Sequence, residues 1–348
     1  MRVEVEAFRR SVAQVLNAGG VDQAQTRTVG ANLVWCDMVG RRNHGIERLP
    51  ILLDRVAKGG IASPCHPRFV WLAPNVTRLD AANGFGHHAG ELAMEHACDL
   101  AAPQGVGIVG VCNSNFFGAG AYYVNRAAER GMIGLAFSNS FPKVAAPGGL
   151  RPALGTNPFA FAAPRRSGRA LLIDMSTAAV AGSTIREAID KDQVLPPGIA
   201  IDARGHPITD PHKVEGGTLL PAAGPKGFGL AIMVELLASV LTGAGIADQV
   251  ASMYKQVSVG GNNGHLFVAL DIRRWMPLPE WHERIEALCL GLIGSGLDGT
   301  VRLPGDCRWA EYDRSLSEGV LVEDHTLART ESLARDLGVE LGWAQTVT

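Results

Sequence analysis

Apolar residues recur every three or four positions near both ends of the chain, which is the period of an amphipathic helix. Near the start, such a stripe runs over residues 8–16 and stops at the glycine pair 19–20. A second helix is expected after Asp22 as its N-cap, and a third from about Pro50. The segment 324–338 predicts a further helix close to the end.

Between these ends, short apolar runs alternate with helical stretches, a pattern typical of an α/β fold. Helices are predicted at 88–103 and 118–130. The segment 202–220 is dense in Gly, Pro, Asp and His and predicts a long irregular excursion. Strands are predicted at 69–73, 76–81, 105–112, 132–138, 158–164, 170–176 and 265–272.

One apolar segment approaches membrane-spanning length. Residues 227–247 read GFGLAIMVELLASVLTGAGIA and contain a single charged residue, Glu235. Glycine turns flank the segment, which lies deep in an otherwise mixed polar and apolar chain. We therefore predict a buried core helix rather than a membrane span.

Residues 105–110 read GVGIVG, which matches the glycine fingerprint of dinucleotide-binding Rossmann folds. That fingerprint must follow a strand and open a helix, so that the helix amides meet the pyrophosphate. Here a predicted helix precedes the glycines, and the glycines themselves lie in a predicted strand. Any dinucleotide is therefore expected to bind elsewhere.

The 348 residues carry a formal charge of −2 at pH 7, which offers no basic surface for nucleic acid or anionic lipid. Small neutral or anionic ligands are the expected partners. The six cysteines form no C-x-x-C pair, so neither a metal site nor a disulfide framework is indicated. The start, MRVEVEAFRR, lacks the apolar core of a secretory signal, and a reducing cytoplasm is the expected location.

Four polar clusters could contain catalytic or binding residues. The first is a turn with Asn43, His44 and Arg48, which a glycine makes flexible. Imidazole exchanges protons near neutral pH, and a guanidinium grips a carboxylate. The pair therefore suits a small carboxylic acid. The alternative is a surface turn in which Arg48 pairs with Glu47 or Asp54.

The second cluster, NSNFFGAG at 113–120, offers free amides where a helix begins, although an ordinary helix cap explains it equally. The third, 138–158, is either a shaped loop with hydrogen-bonding groups or a long turn between strands. In the fourth, Asp174 ends a strand and Lys226 precedes the apolar helix. These two could hold a ribose hydroxyl and a phosphate, or pair with each other.

Taken in order, these clusters resemble the malate/L-lactate dehydrogenase family, which includes ureidoglycolate and sulfolactate dehydrogenases, diketogulonate reductase and the cyclic ketimine (piperideine-2-carboxylate) reductases. The matching motifs span about 44–243 and are HGIERLP, NGFGHHAGELAMEHA, GVGIVGVCNSNFFGAGAYY, LGTNP, LLIDMSTA, TDP and LLPAAGPKGFGLAIMVELL, with GHLFVALD and LPGD beyond them. The resemblance implies an enzyme that uses NAD or NADP to transfer hydride to or from the α carbon of a small carboxylic acid.

The resemblance also implies a fold and an assembly. NAD(P) is expected on a mixed sheet unrelated to Rossmann folds, within a central domain at 76–306. A helical domain is expected from residues 1–75 together with 307–348. The family's enzymes are usually homodimers, so a homodimer is expected here.

By the same resemblance, His44 corresponds to the family's acid/base histidine and Arg48 to its anchor for the substrate carboxylate. Arg308 lies near the predicted cofactor turn and slightly favours NADPH, although the alternative is an ordinary solvated arginine. The positions expected to contact the dinucleotide are Ser140, Thr156, Asp174, Met175, Ser176, Lys226, Gly227, Pro304, Gly305 and Asp306.

Two departures from the family change the expected substrate pocket. Asn43 replaces a serine, and Phe116, with Phe117 beside it, replaces a second active-site histidine. Phe116 cannot carry a proton, so oxidation of a 2-hydroxy acid should be impaired, whereas a protonated cyclic imine accepts hydride with less help. The alternative is a dinucleotide-binding protein that has lost catalysis.

Overall fold

The computed structural model describes residues 1–180, 182–297 and 299–344, which form a mixed α/β fold. Residues 345–348, at the end of the predicted helical domain, lie outside the described part. The helices are α1 Val5–Ala18, α2 Gln23–Met38, α3 Leu49–Ala57, α4 Gly86–Gln104, α5 Gly120–Glu129, α6 Gly182–Asp190, α7 Pro225–Glu235, α8 Leu278–Ile293, α9 Asp306–Glu318 and α10 Asp324–Asp336. The strands are β1 Arg2–Val3, β2 Arg68–Ala73, β3 Val76–Asp80, β4 Val106–Ser114, β5 Met132–Ser138, β6 Val144–Ala145, β7 Pro152–Leu154, β8 Phe159–Ala163, β9 Leu171–Met175, β10 Ala200–Ile201, β11 Thr218–Leu219, β12 Asn263–Asp271 and β13 Val320–Leu321.

The elements predicted from apolar periodicity are confirmed. The helical stripes correspond to α1, α2, α3, α4, α5 and α10, and the seven predicted strands to β2, β3, β4, β5, β8, β9 and β12. Asp22 caps α2 as expected, because its carboxylate accepts the Ala24 N–H at 2.9 Å. Periodicity was informative for most of these elements because they bury at least one face, whereas β2 is exposed along its whole length.

The largest sheet has seven strands in the order β2-β3-β4-β12-β5-β8-β9. β3 and β4 run parallel and the other neighbours antiparallel, so the sheet is mixed. Ser114 pairs with Asn263, and Phe159 pairs with Met175. Strands β4, β5 and β9 therefore end along the same edge at which β8 and β12 begin. A four-stranded sheet, β10-β11-β6-β7, and the pair β1-β13 complete the β structure.

The glycines of the GVGIVG motif serve packing between a helix and a strand. Gly105 ends α4 with a φ of +84°, and the later glycines lie within β4. A Cβ on Gly107 would lie 2.0 Å from the Ala97 carbonyl oxygen, so α4 could not approach β4 as closely with any other residue there. The predicted order, helix and then strand, is confirmed.

Two large apolar cores flank the candidate site. One lies between the seven-stranded sheet and the helices α4 and α5. The other joins α1, α2 and α3 to the segment from β13 onward, with Phe8 stacked on Trp343 at 5.7 Å between ring centroids. The N-terminal and C-terminal parts of the chain thus share one core.

The prediction of a buried helix at 227–247 is confirmed only in part, because the helix is shorter and less buried than expected. Helix α7 ends at Glu235, and a π-helical turn, Leu236–Val240, continues it. Only one face packs on the sheet, whereas Leu236 is 52% and Leu241 66% exposed. An apolar helix can thus leave one face uncovered, which mean hydropathy does not reveal. In the described part of the chain, no helix combines the length and apolar character needed to cross a membrane.

The predicted excursion at 202–220 is more regular than its composition suggests. It contains the 3-10 helix Pro211–Gly216 and strand β11. The loop 138–158 likewise contains β6 and β7, so it is not a plain turn. These strands have two or three residues each, too few to show a period in the sequence.

Candidate active site

A cavity of about 160 Å³ lies at the strand ends of the large sheet, bordered by the first of two 3-10 turns, Arg42–His44 and Ile46–Arg48, that join α2 to α3. It brings together eight of the residues predicted from the sequence: Asn43, His44, Phe116, Phe117, Ser140, Thr156, Asp174 and Ser176. The other lining residues are Arg41, Gly118, Ala119, Gly120, Ser138, Asn139, Phe141, Pro158, Val180, Ala251, Met253 and Asn263.

Gly45 joins the two turns and allows them to pack closely against a buried carboxyl group. A Cβ on Gly45 would lie 2.1 Å from Asp37 Oδ1. Asp37 also accepts the Ile46 N–H at 2.8 Å, which ties the second turn to α2. Burial raises the pKa of Asp37 to about 8, so this carboxyl group is mainly protonated at pH 7.

His44 contributes a neutral imidazole to the cavity wall. Its Nδ1 is buried and has no hydrogen-bond partner among the described residues. Burial, followed by the charges of Arg48 and Arg41, holds the pKa of His44 well below its ordinary value of 6.5. A neutral ring with an unused nitrogen can accept a proton or return one, which is the role the sequence predicts for it.

Arg48 lies beside the cavity rather than in its lining. Its Nε donates to the Asn43 carbonyl oxygen at 2.6 Å, and its Nη1 donates to the Tyr254 hydroxyl at 2.8 Å. The alternative pairing with Glu47 or Asp54 is wrong, because both carboxylates pair with other cations. The Arg48 guanidinium therefore has no carboxylate partner in the described ranges.

Phe116 and Phe117 contact three histidines at the cavity. The Phe116 ring lies between His44 and His87, with centroid distances of 5.9 and 5.6 Å. Phe117 stacks on His265, 4.8 Å away. An apolar ring therefore separates the candidate acid/base residue from its nearest neighbouring imidazole.

His87 and His265 were missed by sequence reasoning, and their surroundings differ. His265 bridges two strands, with Nδ1 2.8 Å from the Ser138 hydroxyl and Nε2 2.9 Å from the Ser114 hydroxyl. Both ring nitrogens of His87 are buried without a partner in the described chain. Burial lowers the pKa of both histidines to about 3, so both are neutral. No sequence signal separates these two buried rings from ordinary histidines.

Ser140 and Thr156 face the cavity from loops after β5 and β7. The Ser140 hydroxyl accepts the Thr156 N–H at 2.9 Å, and the Ser140 N–H donates to Asn157 at 3.2 Å. A Cβ on Gly155 would lie 2.2 Å from the Ser140 carbonyl oxygen, so the glycine of the LGTNP motif permits this contact. The third polar cluster is thus a shaped loop with hydroxyl groups at the cavity.

Asp174 pairs with Arg308 at the end of β9. The carboxylate lies 3.6 Å from Arg308 Nη1, and Arg308 Nη2 donates to the Asp174 carbonyl oxygen at 3.0 Å. Asp174 also accepts the Ala121 N–H at 3.3 Å and so caps α5. The alternative pairing of Asp174 with Lys226 is therefore wrong. The alternative of Arg308 as a solvated arginine is also wrong, because its side chain is only 15% exposed.

The other predicted cofactor positions lie outside the cavity lining. Lys226 is exposed in the first turn of α7. The Pro304 carbonyl oxygen accepts the Leu172 N–H at 3.0 Å, and Gly305 begins α9 with a φ of +101°. Six predicted cofactor positions are therefore not part of the cavity lining: Met175, Lys226, Gly227, Pro304, Gly305 and Asp306.

Arg41 is a cavity residue that sequence reasoning missed. Its Nε is buried without a hydrogen-bond partner among the described residues. The sequence shows two adjacent arginines, Arg41 and Arg42, and no local signal tells which of them faces inward. Within the described ranges, no three His, Cys, Asp or Glu side chains converge as metal ligands.

A cavity with a neutral imidazole, beside a guanidinium that has no carboxylate partner among the described residues, defines the class of an enzyme that handles a small acid. The chain belongs to the malate/L-lactate dehydrogenase family, whose model matches residues 3–330. The resemblance drawn from the motifs is thereby confirmed.

Three relatives illustrate the range of the family. The chain is 36% identical over 271 residues to ureidoglycolate dehydrogenase (NAD(+)) of Escherichia coli O157:H7, covering 78% of this chain and 77% of that protein. It is 36% identical over 305 residues to (2R)-3-sulfolactate dehydrogenase (NADP(+)) of Chromohalobacter salexigens, covering 88% and 90%. The solved structure of delta1-piperideine-2-carboxylate reductase from Pseudomonas syringae superposes with a TM-score of 0.88 at 31% identity, covering 96% and 100%.

Proposed function

We propose that the protein is an NAD(P)-dependent oxidoreductase that transfers hydride to or from the carbon beside the carboxylate of a small acid. The observation that carries this proposal is the neutral His44 at the cavity, with Arg48 beside it and without an acidic partner among the described residues. Arg48 holds the substrate carboxylate, and His44 supplies or removes the proton. The activities named for the three relatives support the same assignment.

The cavity residues fit a dinucleotide. The buried Nε of Arg41 has no hydrogen-bond partner in the described chain, and Ser140, Thr156 and Ser176 add hydroxyl groups. A bound NAD(P)H supplies the hydride. Because the GVGIVG glycines serve helix packing, we place the dinucleotide on the mixed sheet rather than in a Rossmann site.

The cofactor choice and the remaining contacts are part of the proposal. NADPH is slightly favoured over NADH, because positive side chains outnumber negative ones around the cavity. The relatives named for NAD(+) and NADP(+) support the use of either cofactor. Six further residues remain part of the proposal as contacts for cofactor atoms that extend beyond the cavity: Met175, Lys226, Gly227, Pro304, Gly305 and Asp306.

Phe116 directs the proposed chemistry toward imine reduction. A hydroxy acid must lose a proton from its hydroxyl group as hydride leaves, and the phenyl ring cannot accept that proton. A cyclic imine that is already protonated needs less help, and its ring suits a wall made by Phe116 and Met253. Interconversion of a 2-oxo acid and a 2-hydroxy acid remains the second candidate. His44 is its proton carrier, because Asp174, the other proton-accepting group in the described lining, is paired with Arg308.

Steady-state assays test the proposal. Wild type, His44→Ala and the exposed control His212→Ala are compared with NADH and NADPH, against oxaloacetate, pyruvate and delta1-piperideine-2-carboxylate. We expect His44→Ala to lower kcat by roughly 10²-fold or more, and the control to match wild type. Equal turnover in all three proteins removes His44 from the mechanism. Cofactor binding without turnover on any substrate instead supports the catalytically silent alternative.

Assembly, domain division and location complete the proposal. The exposed apolar face on Leu236 and Leu241 supports a homodimer, because uncovered faces of this kind commonly mark interfaces. The core shared by α1, α2, α3 and α10 supports a helical domain of 1–75 with 307–348 beside a central domain of 76–306. β2 belongs with the central sheet, because it pairs with β3. Six unpaired cysteines support a reducing cytoplasm.

A further inference from the structure

The charges around the cavity do not balance. Arg41, His44 and Asp174 are its titratable lining residues, and His44 is neutral. Asp174 is already paired with Arg308, which approaches it from α9. Arg41 is therefore left as a cation without a counter-charge in the described chain, with a partly buried side chain whose Nε is shielded from solvent.

The neighbouring residue shows how different this position is. Arg42 points away from the cavity, with Nη2 3.5 Å from a Glu311 carboxylate oxygen and Nη1 3.3 Å from one of Glu323. Among the described residues Arg41 has no such partner, and its charge contributes to the lowered pKa values of both His44 and Arg308. A partly buried guanidinium without a carboxylate partner is stabilised by an anion that shares its cavity. The arrangement therefore implies that an anion arrives with a ligand.

The sheet edge shows which end of the ligand Arg41 meets. Arg48 lies near the end of β5, because it bonds Tyr254, whose ring contacts Phe141 at 6.1 Å. Arg41 lies near Arg308 and Asp174, at the end of β9. β9 is two strand spacings from β5, or about 10 Å. An elongated ligand whose substrate end is at Arg48 therefore extends toward Arg41.

We propose that Arg41 binds a phosphate oxygen of the bound dinucleotide. The inference rests on the proposed function, which places the substrate carboxylate at Arg48 and so leaves the opposite end of the cavity to the cofactor. A guanidinium matches the geometry of phosphate oxygens with paired N–H donors. Gly118, Ala119 and Gly120 line the same end without side chains that would block a phosphate.

Fluorescence titration of the purified protein with NADH and with NADPH tests this role without relying on turnover. The variants are Arg41→Gln, Arg41→Lys and the matched control Arg42→Gln, each at several KCl concentrations. We expect Arg41→Gln to raise Kd roughly tenfold or more and to weaken its dependence on salt. The Kd of Arg41→Lys is expected to lie between those of wild type and Arg41→Gln, because lysine keeps the positive charge but lacks the paired N–H donors of arginine. The Kd of Arg42→Gln is expected to stay within about twofold of wild type.

The pattern across the two cofactors identifies the phosphate. An equal loss with NADH and NADPH indicates the pyrophosphate, and a loss confined to NADPH indicates the 2′-phosphate. Kd values for both cofactors that stay within about twofold of wild type in Arg41→Gln overturn the proposal. So does an unchanged Kd with a raised KM for oxaloacetate, which assigns Arg41 to a second acidic group of the substrate. A wild type that binds neither cofactor refutes the proposed function itself, and is thereby distinguished from failure of this inference alone.

Discussion

His87 is expected to make the fold sensitive to mild acid. Its imidazole is fully buried, neither nitrogen has a hydrogen-bond partner in the described chain, and burial lowers its pKa to about 3. In the unfolded chain the ring regains its ordinary pKa of 6.5. Between these two values the unfolded state binds more protons than the folded state, so the free energy of unfolding falls as pH falls.

The size of the effect follows from the pKa difference. At pH 5.0 the unfolded ring is almost fully protonated, about 1.5 pH units below its ordinary pKa, and the folded ring is still neutral. Each unit corresponds to about 1.36 kcal/mol, so His87 lowers the free energy of unfolding at pH 5.0 by about 2 kcal/mol relative to pH 8. His265, with a pKa also lowered to about 3, contributes a similar amount.

Urea denaturation of wild type, His87→Gln and His265→Gln at pH 8.0 and pH 5.0 measures this contribution. Each variant should lose about 2 kcal/mol less than wild type between the two pH values, since glutamine takes up no proton in this range. At pH 8.0 the free energies of unfolding of the two variants should differ. His265→Gln loses the hydrogen bonds to Ser138 and Ser114, at a cost of about 1–3 kcal/mol, whereas His87→Gln loses no hydrogen bond to a described residue. If His87→Gln loses as much stability between the two pH values as wild type, the buried neutral state assigned to His87 is refuted.

Three further results are expected. Gly45→Ala places a Cβ against the Asp37 carboxyl and costs about 1–3 kcal/mol in urea denaturation, with a matching loss of activity; full stability would refute the close packing. Asp174→Asn leaves Arg308 buried without a counter-charge and costs about 3 kcal/mol, which the added change Arg308→Met recovers; a single variant as stable as wild type would show that the pair is dispensable. Phe116→His raises malate oxidation with NAD(+) or NADP(+) by about tenfold or more, and an unchanged rate in the folded variant contradicts the role given to the missing imidazole.

Much of the framework could be predicted from the sequence, because local rules decide it. The stripe of apolar residues over 8–16 dictates which face of α1 is buried, and Asp22 caps α2 by bonding amides two and three residues away. His44 and Arg48 could be recognised because a short turn with both residues suits one kind of chemistry. The departure of GVGIVG from the strand-then-helix order of a Rossmann motif was also predictable, since a helix precedes the glycines and a strand contains them.

What the sequence could not predict depends on contacts between distant residues. Asp174 and Arg308 are 134 positions apart, so no local sequence pattern indicates that they form an ion pair. Arg41 and Arg42 are chemically identical neighbours, and only the acidic residues of the C-terminal helices determine which of them turns outward. The exposed face of α7 was missed for the same reason, because hydropathy reports apolar content and not the presence of a covering partner.

The pairing of β1 with β13 has a consequence for the order in which the protein matures. During synthesis the turn with His44 leaves the ribosome early, but residues that complete the core in which the neighbouring Ile46 is buried, from Val320 to Trp343, are translated hundreds of positions later. The turn is therefore among the first segments made, whereas its apolar support is among the last. A nascent chain arrested before β13 carries the whole cavity in its sequence and lacks the support that would hold it in shape.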